Sequence, residues 1–204
     1  MRDLTTISLA SASPRRFELL SSLGLHVRVV PSGVDEGDRP GYAPRDLAAL
    51  HAGSKAAAVF DREREGDLIV AADTVVDLDG TALGKPVDPD EAARMLHALS
   101  GRTHVVHTAY VVIDPRANRR FTGTRSTAVT FATLGDATIA AYIATGDPFD
   151  KAGSYGIQGR GAALVDRIDG DFYTVMGFPL GDFVRRLPEL DYALPASPPG
   201  APRR

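Results

Sequence analysis

Residues 68–74, Leu68-Ile69-Val70-Ala71-Ala72-Asp73-Thr74, decide how this chain folds. An unbroken apolar run of this length reads as a strand buried on both faces. Such strands lie inside sheets that carry helices on both sides. Asp73 follows the run directly, which puts a carboxylate where the strand is expected to end. In α/β folds those strand ends face ligand crevices. The same residue also fits an Asp that merely caps a turn.

Working outward, the pattern alternates. Residues 6–10 read as a short strand, followed by Ser13 as a helix cap and Pro14 at the favoured first helical position. Phe17, Leu20 and Leu23 recur at helical spacing, and Gly24 reads as the stop. Residues 26–30 form a second strand, and residues 45–60 an alanine-rich helix. Asp79-Gly80 between apolar residues signals a hairpin. A helix over 89–99 is capped near Asp88. Two long strands, 104–113 and 119–132, are joined by a Pro115/Asn118 turn. A helix over 136–145, a strand over 162–168 and a helix over 179–187 complete the order. This is a mixed α/β pattern: a central mixed sheet with flanking helices, read as two lobes around a cleft. Residues 1–190 read as one domain. Residues 191–204, with four prolines from Pro195 on, read as a disordered tail.

The bulk numbers remove whole classes of function. With 204 residues, 44% hydrophobic and 24% charged, the chain can bury a full core without staples. No cysteine is present, so disulfides and thiolate metal sites are excluded. A net charge of -3 gives no global pull toward polymeric nucleic acid or an anionic membrane. No secretory leader and no membrane-spanning stretch is evident, so a cytoplasmic location is expected. The P-loop pattern is absent. Gly159-Arg160-Gly161 begins like a dinucleotide fingerprint but fails at its third glycine and leads into an expected strand. No G-x-S-x-G elbow occurs.

What remains is local. Arg15 and Arg16 fall in the first turn of the first helix, where a cation opposes the macrodipole. The free N–H groups there attract anions, so a bound phosphate would explain the pair. A solvated pair neutralised by Glu18 explains it as well. Glu36, beside Asp35 in a glycine-containing loop, is either a hard-ion ligand or a solvated acid. Lys55 on the alanine-rich helix is ordinarily a surface residue. Lys85, between Gly84 and Pro86, is aimed by a tight turn. Residues 150–161 (DKAGSYGIQGRG) hold four glycines that let backbone approach a ligand. Lys151 there supplies charge. Gln158 supplies an amide that matches a uracil or thymine edge, or serves structurally.

Taken together, Ser11-Ala12-Ser13-Pro14-Arg15-Arg16, Ala72-Asp73-Thr74, Gly84-Lys85-Pro86 and residues 150–159 (DKAGSYGIQG) resemble the Maf family of nucleoside triphosphate pyrophosphatases over nearly the whole chain. The resemblance implies a mixed α/β cleft similar to that of inosine triphosphate pyrophosphatases. It implies an enzyme that splits a nucleoside triphosphate into monophosphate and pyrophosphate with a divalent cation, Mg²⁺ or Mn²⁺. It implies Asp73 as proton acceptor, and Arg15, Thr74 and Gln158 at positions linked to substrate choice. Glu36, Lys55, Lys85 and Lys151 match other polar positions of the family's cleft; Arg15, Arg16, Lys55 and Lys85 would stabilise the leaving pyrophosphate, and Glu36 with Asp73 would hold the metal. The Gly-Ile-Gln-Gly form resembles the branch acting on dTTP and UTP. Alternatives are a pyrophosphatase for 7-methyl-GTP or another modified nucleotide, and a nucleotide-binding regulator of cell division. A second copy of the chain, as a homodimer, is the one macromolecular partner left open.

Overall fold

The computed structural model describes residues 1–35, 37, 39, 41–62 and 68–196. Among them a seven-stranded mixed sheet forms the centre. Its strands are β2 (Thr6–Leu9), β3 (His26–Val29), β4 (Leu68–Leu78), β5 (Thr81–Leu83), β6 (Thr103–Asp114), β7 (Arg119–Phe131) and β8 (Val165–Asp169). The order is β3-β2-β4-β6-β7-β8, with β5 pairing onto β4. The β2–β3 and β2–β4 pairs are parallel, and the remaining pairs antiparallel. The mixed sheet with flanking helices is the architecture expected from the alternating pattern.

The central run became an eleven-residue strand, and its two faces organise the core. Ile69, Ala71 and Val75 pack beneath helix α2 (Pro44–Phe60), against Ala48, Ala52, Ala56 and Val59. Small side chains on that helix let it sit close to the sheet. On the other face, Leu68, Val70 and Ala72 join a cluster with Leu20 of α1 (Pro14–Ser21), Phe178, and Phe183 of α6 (Leu180–Arg186). Val76 and Leu78 on that same face join a different cluster. It includes Leu96 and Leu99 of α3 (Pro89–Leu99), Ile139 of α4 (Asp136–Ile143) and Phe131. Thr74 is the polar position between these two clusters, and the cleft opens there.

Local signals account for several junctions. Asp79 and Gly80 have φ of 52° and 82°, the pair of positive values a tight hairpin turn needs. The Asp88 carboxylate accepts from the Glu91 amide at 2.7 Å, capping α3. Other expectations were off. Asp73 lies inside β4, not at its end, because pairing with β6 continues to Asp77. Residues 162–168 do not form one strand. Gly159–Leu164 coils as a 3-10 segment, and β8 starts only at Val165. A short helix, α5 (Phe172–Met176), was not foreseen. Nor was the parallel pairing of β1 (Arg2–Asp3) with β9 (Tyr192–Ala193), which draws two residues of the expected tail into a strand. Residues 197–204 lie outside the described residues. No helix among the described residues is long and apolar enough to cross a membrane.

Candidate active site

β4 loses its β2 neighbour after Val70, and β5 begins to pair only at Val76. The strand edge between them is open, and a cleft of about 420 Å³ lies over it. That volume falls within the range of small-molecule sites, about 300–1,000 Å³. Arg15, Arg16, Lys55, Asp73 and Thr74 all line this cleft, and so do Lys85, Lys151 and Gln158. Glu36 lies outside the described residues.

The first wall is the turn from β2 into α1. The Ser13 side chain makes no capping bond, and no acid occupies the first turn. The helix therefore presents uncapped N–H groups without a negative side chain beside them. The two arginines diverge. Arg16 is buried, and its guanidinium donates to the Gly177 carbonyl at 2.9 Å, Ser11 Oγ at 3.1 Å and Thr74 Oγ1 at 3.0 Å. It braces three segments at the cleft floor. Thr74 Oγ1 continues the chain to Thr108 Oγ1 at 2.9 Å, and Thr108 donates to the Thr174 carbonyl at 2.7 Å. Arg15 is more open and pairs with Asp150 at 3.3 Å.

The floor carries the buried carboxylate. Asp73 is 5% exposed, on the face of β4 that α2 covers. Lys55 Nζ donates to its Oδ1 at 2.7 Å, and His51 Nδ1 lies 3.3 Å from its Oδ2. Both partners come from one face of α2, a turn apart. Lys55, expected on the surface, is 5% exposed because its ammonium meets Asp73. Burial alone would push the Asp73 carboxyl up. The His51 hydrogen bond and the Lys55 and Arg16 charges outweigh it and hold the group below the ordinary carboxylate value. Asp73 is thus ionised at neutral pH.

The second wall is the glycine-rich loop. Gly153, at φ 67°, packs on Val76, and its N–H donates to the Gly84 carbonyl at 2.9 Å, tying the loop to the Lys85 turn. A Cβ at Gly161 would stand 2.1 Å from the Gly156 carbonyl oxygen, so only glycine fits there. Lys151 Nζ donates to the Asp147 carbonyl at 2.6 Å and pairs with Asp150. Asp150 therefore gathers Arg15 and Lys151 on one side of the cleft. Gln158 is exposed at the mouth, and its side chain makes no capping bond to the following 3-10 segment.

Sequence reading missed His51, Asp150 and the pair that anchors the loop. His104 Nε2 lies 2.7 Å from the Tyr155 hydroxyl, both buried, and Tyr155 lines the cleft. The only signal for His51 was its four-residue spacing from Lys55. Nothing in the pattern joined His104 to Tyr155. Burial depresses His104 to about 4 from an ordinary 6.5. Between those values the unfolded chain binds a proton that the folded chain refuses. Stability is therefore full above the unfolded value and falls as pH drops toward 4. Relative to His104→Phe, which cannot titrate, the wild type should lose about 3 kcal/mol between pH 7 and pH 4. Urea unfolding of both proteins measures this, and a constant gap would contradict it.

Among the described residues no group of three or more His, Cys, Asp or Glu is arranged to hold a metal. Asp73 nevertheless suits a hard cation shared with phosphates, since Mg²⁺ is commonly held by one or two carboxylates plus substrate oxygens.

The chain is similar to known proteins along most of its length. The Maf-like protein family profile matches residues 6–190. A dTTP/UTP pyrophosphatase of Anaeromyxobacter dehalogenans is 47% identical over 192 residues, covering 92% of this chain and 95% of that protein. One from Geobacter sulfurreducens is 48% identical, covering 89% and 94%. Among solved structures, the Staphylococcus aureus Ham1 protein aligns with 63% of this chain and 72% of its own, at 14% identity and a TM-score of 0.42. With a family profile spanning nearly the whole sequence and relatives close to half identical along nearly their full length, the chain belongs to the Maf family.

Proposed function

We propose that this protein hydrolyses dTTP and UTP to the monophosphate and pyrophosphate. The carrying observation is that one cleft brings an ionised, buried Asp73 together with cationic side chains from four separate segments. The names of the near-full-length relatives support the choice of nucleotide. In this reading the triphosphate lies against the uncapped start of α1, with Arg15, Lys85 and Lys151 compensating its charge. Arg16 and Thr74 hold the floor in shape. Water bonds to the α-phosphorus, the bond to the bridging oxygen breaks, and pyrophosphate departs. Asp73 accepts a hydrogen bond from that water and takes up its proton as attack proceeds, a contribution worth about 10²–10⁴-fold. Fixed charges at the leaving group supply most of the remainder. Asp73, with Glu36, would hold a Mg²⁺ or Mn²⁺ that neutralises phosphate charge. The reading also takes residues 1–190 as one catalytic domain and the cytoplasm as its location.

Gln158 reads the base. A uracil or thymine edge offers an N–H beside a carbonyl, and one amide answers both. Gln158→Glu removes the donor and sets a charge against a carbonyl. Sites built on such hydrogen bonds reject mismatched partners strongly. Pyrophosphate release should be measured on a nucleotide panel with Mg²⁺ or Mn²⁺. Wild type should favour dTTP and UTP, and the variant should lose kcat/KM on those two by about tenfold or more at unchanged melting temperature. Equal loss on every nucleotide would argue against base reading. A wild-type preference for 7-methyl-GTP, or tight binding without pyrophosphate release, would overturn the assignment itself.

A further inference from the structure

Three buried histidines in this fold can be compared by the partners of their rings. His107 has both nitrogens engaged, Nδ1 with Ser126 Oγ at 2.7 Å and Nε2 with Asp77 at 3.1 Å. It is a satisfied link across three strands. His104 spends Nε2 on Tyr155 and leaves Nδ1 buried without a partner. His51 is the third case. Its Nδ1 faces Asp73, while its Nε2 is buried with no hydrogen-bond partner. Orphaning a buried polar atom costs roughly 1–3 kcal/mol. Apart from His51 and Lys55, the buried positions of α2 are apolar: Pro44, Ala48, Ala52, Ala56 and Val59. An aliphatic side chain of similar size would fill the space without that cost.

We propose that His51 is a positioning residue for Asp73: Nδ1–H fixes Oδ2 while Lys55 fixes Oδ1, so the carboxylate cannot rotate about its terminal bond. One α-helix supplies both restraints, because His51 and Lys55 are separated by one turn. The carboxylate plane is then set relative to the cleft before any substrate arrives. A group held in this way acts at its full effect, whereas a freely turning one is misplaced for part of the time. The geometry also fixes the imidazole. To donate to an ionised carboxylate, the ring must carry its proton on Nδ1. The inference rests on the assignment of Asp73 to the reaction, and the test separates the two.

The chemistry of the amide side chains supplies the variants. Asn carries an N–H donor one bond beyond Cγ, as Nδ1 does, whereas the Gln donor lies a bond further, near the place of Nε2. Under saturating Mn²⁺, His51→Leu and His51→Gln should lower kcat for dTTP toward the small end of the about 10–100-fold range typical for residues that orient a reactive group. KM should stay unchanged. His51→Asn should recover kcat to within about threefold of wild type, since the restoring donor sits on the same atom path. His51→Leu trades the unpartnered Nε2 for an Oδ2 that has lost this donor, so its melting temperature serves only to show that the variant folds. Unchanged kcat in the Leu and Gln variants, or equal impairment in all three, would overturn the proposal. A second readout needs no turnover. Long-range ¹H–¹⁵N spectra should show the His51 ring protonated at Nδ1 in the wild type and the Nε2–H tautomer in Asp73→Asn. A wild-type ring protonated at Nε2 alone would overturn the proposal whatever the nucleotide assay gives. A silent nucleotide assay beside the expected spectra would remove the catalytic assignment and leave the Asp73 restraint standing.

Discussion

Asp73→Asn should lower kcat for dTTP by about 10²–10⁴-fold, the range expected for loss of a positioned proton acceptor. The substitution preserves shape and removes charge. Its side-chain oxygen can still accept from Lys55 in place of Oδ1. The new amide then points at His51, whose ring answers by moving its proton to Nε2 and accepting at Nδ1. The substitution leaves the buried Lys55 ammonium without its counter-charge, so the melting temperature should fall, and kcat is compared at a temperature where both proteins are fully folded. KM should change little, because Arg15, Lys85 and Lys151 line the cleft apart from this residue. Loss in kcat with unchanged KM marks an interaction made in the transition state. Near-wild-type turnover would remove Asp73 from the chemistry, both as proton acceptor and as metal ligand.

The position of this residue shows where sequence reading reaches its limit. The apolar run at 68–72 correctly identified a strand buried on both faces, and through it the layered architecture. It placed Asp73 at a strand end because the run stops there. The strand in fact extends to Leu78, since antiparallel pairing with β6 is indifferent to one charged side chain in an open stretch of edge. Local chemistry was legible where the cause was local: Pro14 opening α1, the Asp79-Gly80 turn, the Asp88 cap. It was not legible where the partner lay far along the chain. Lys55 belonged on the surface by composition, and only Asp73, eighteen residues on, explains its burial. The β1–β9 pair joins the two ends of the chain through two residues each, too short to leave a pattern. Likewise 162–168 looked like one strand, but Gly159–Leu164 coils as a 3-10 segment, at a point where Gly161 lies too close to the Gly156 carbonyl to admit a Cβ, and β8 starts only at Val165. That these candidate side chains belong to one cleft was legible because motif order survives in sequence. The division of labour between Arg15 and Arg16 was not, because a guanidinium used as a brace and one used as a clamp read alike.

Lys55→Met should cost about 3–5 kcal/mol of stability at pH 7, the penalty for breaking a buried pair and leaving its carboxylate uncompensated. His51 and Arg16 remain near Asp73, which sets the loss toward the lower end of that range. The pH dependence should invert as well. In the wild type the Asp73 carboxyl sits below its ordinary value, so its contribution is present above the unfolded value and is lost as pH falls through the folded one. Without the ammonium, burial dominates and pushes the carboxyl above its ordinary value. The folded variant then takes up a proton that the unfolded chain at neutral pH does not hold, and its stability rises as pH falls from 7 toward 5. Urea unfolding at both pH values, on wild type and variant, measures the sign directly. Turnover should fall together with stability, since the carboxylate loses its Oδ1 restraint and spends part of its time protonated. A variant as stable as wild type at pH 7, with the same slope, would mean that the 2.7 Å contact contributes nothing to the folded state and that Asp73 is held in the cleft by other groups.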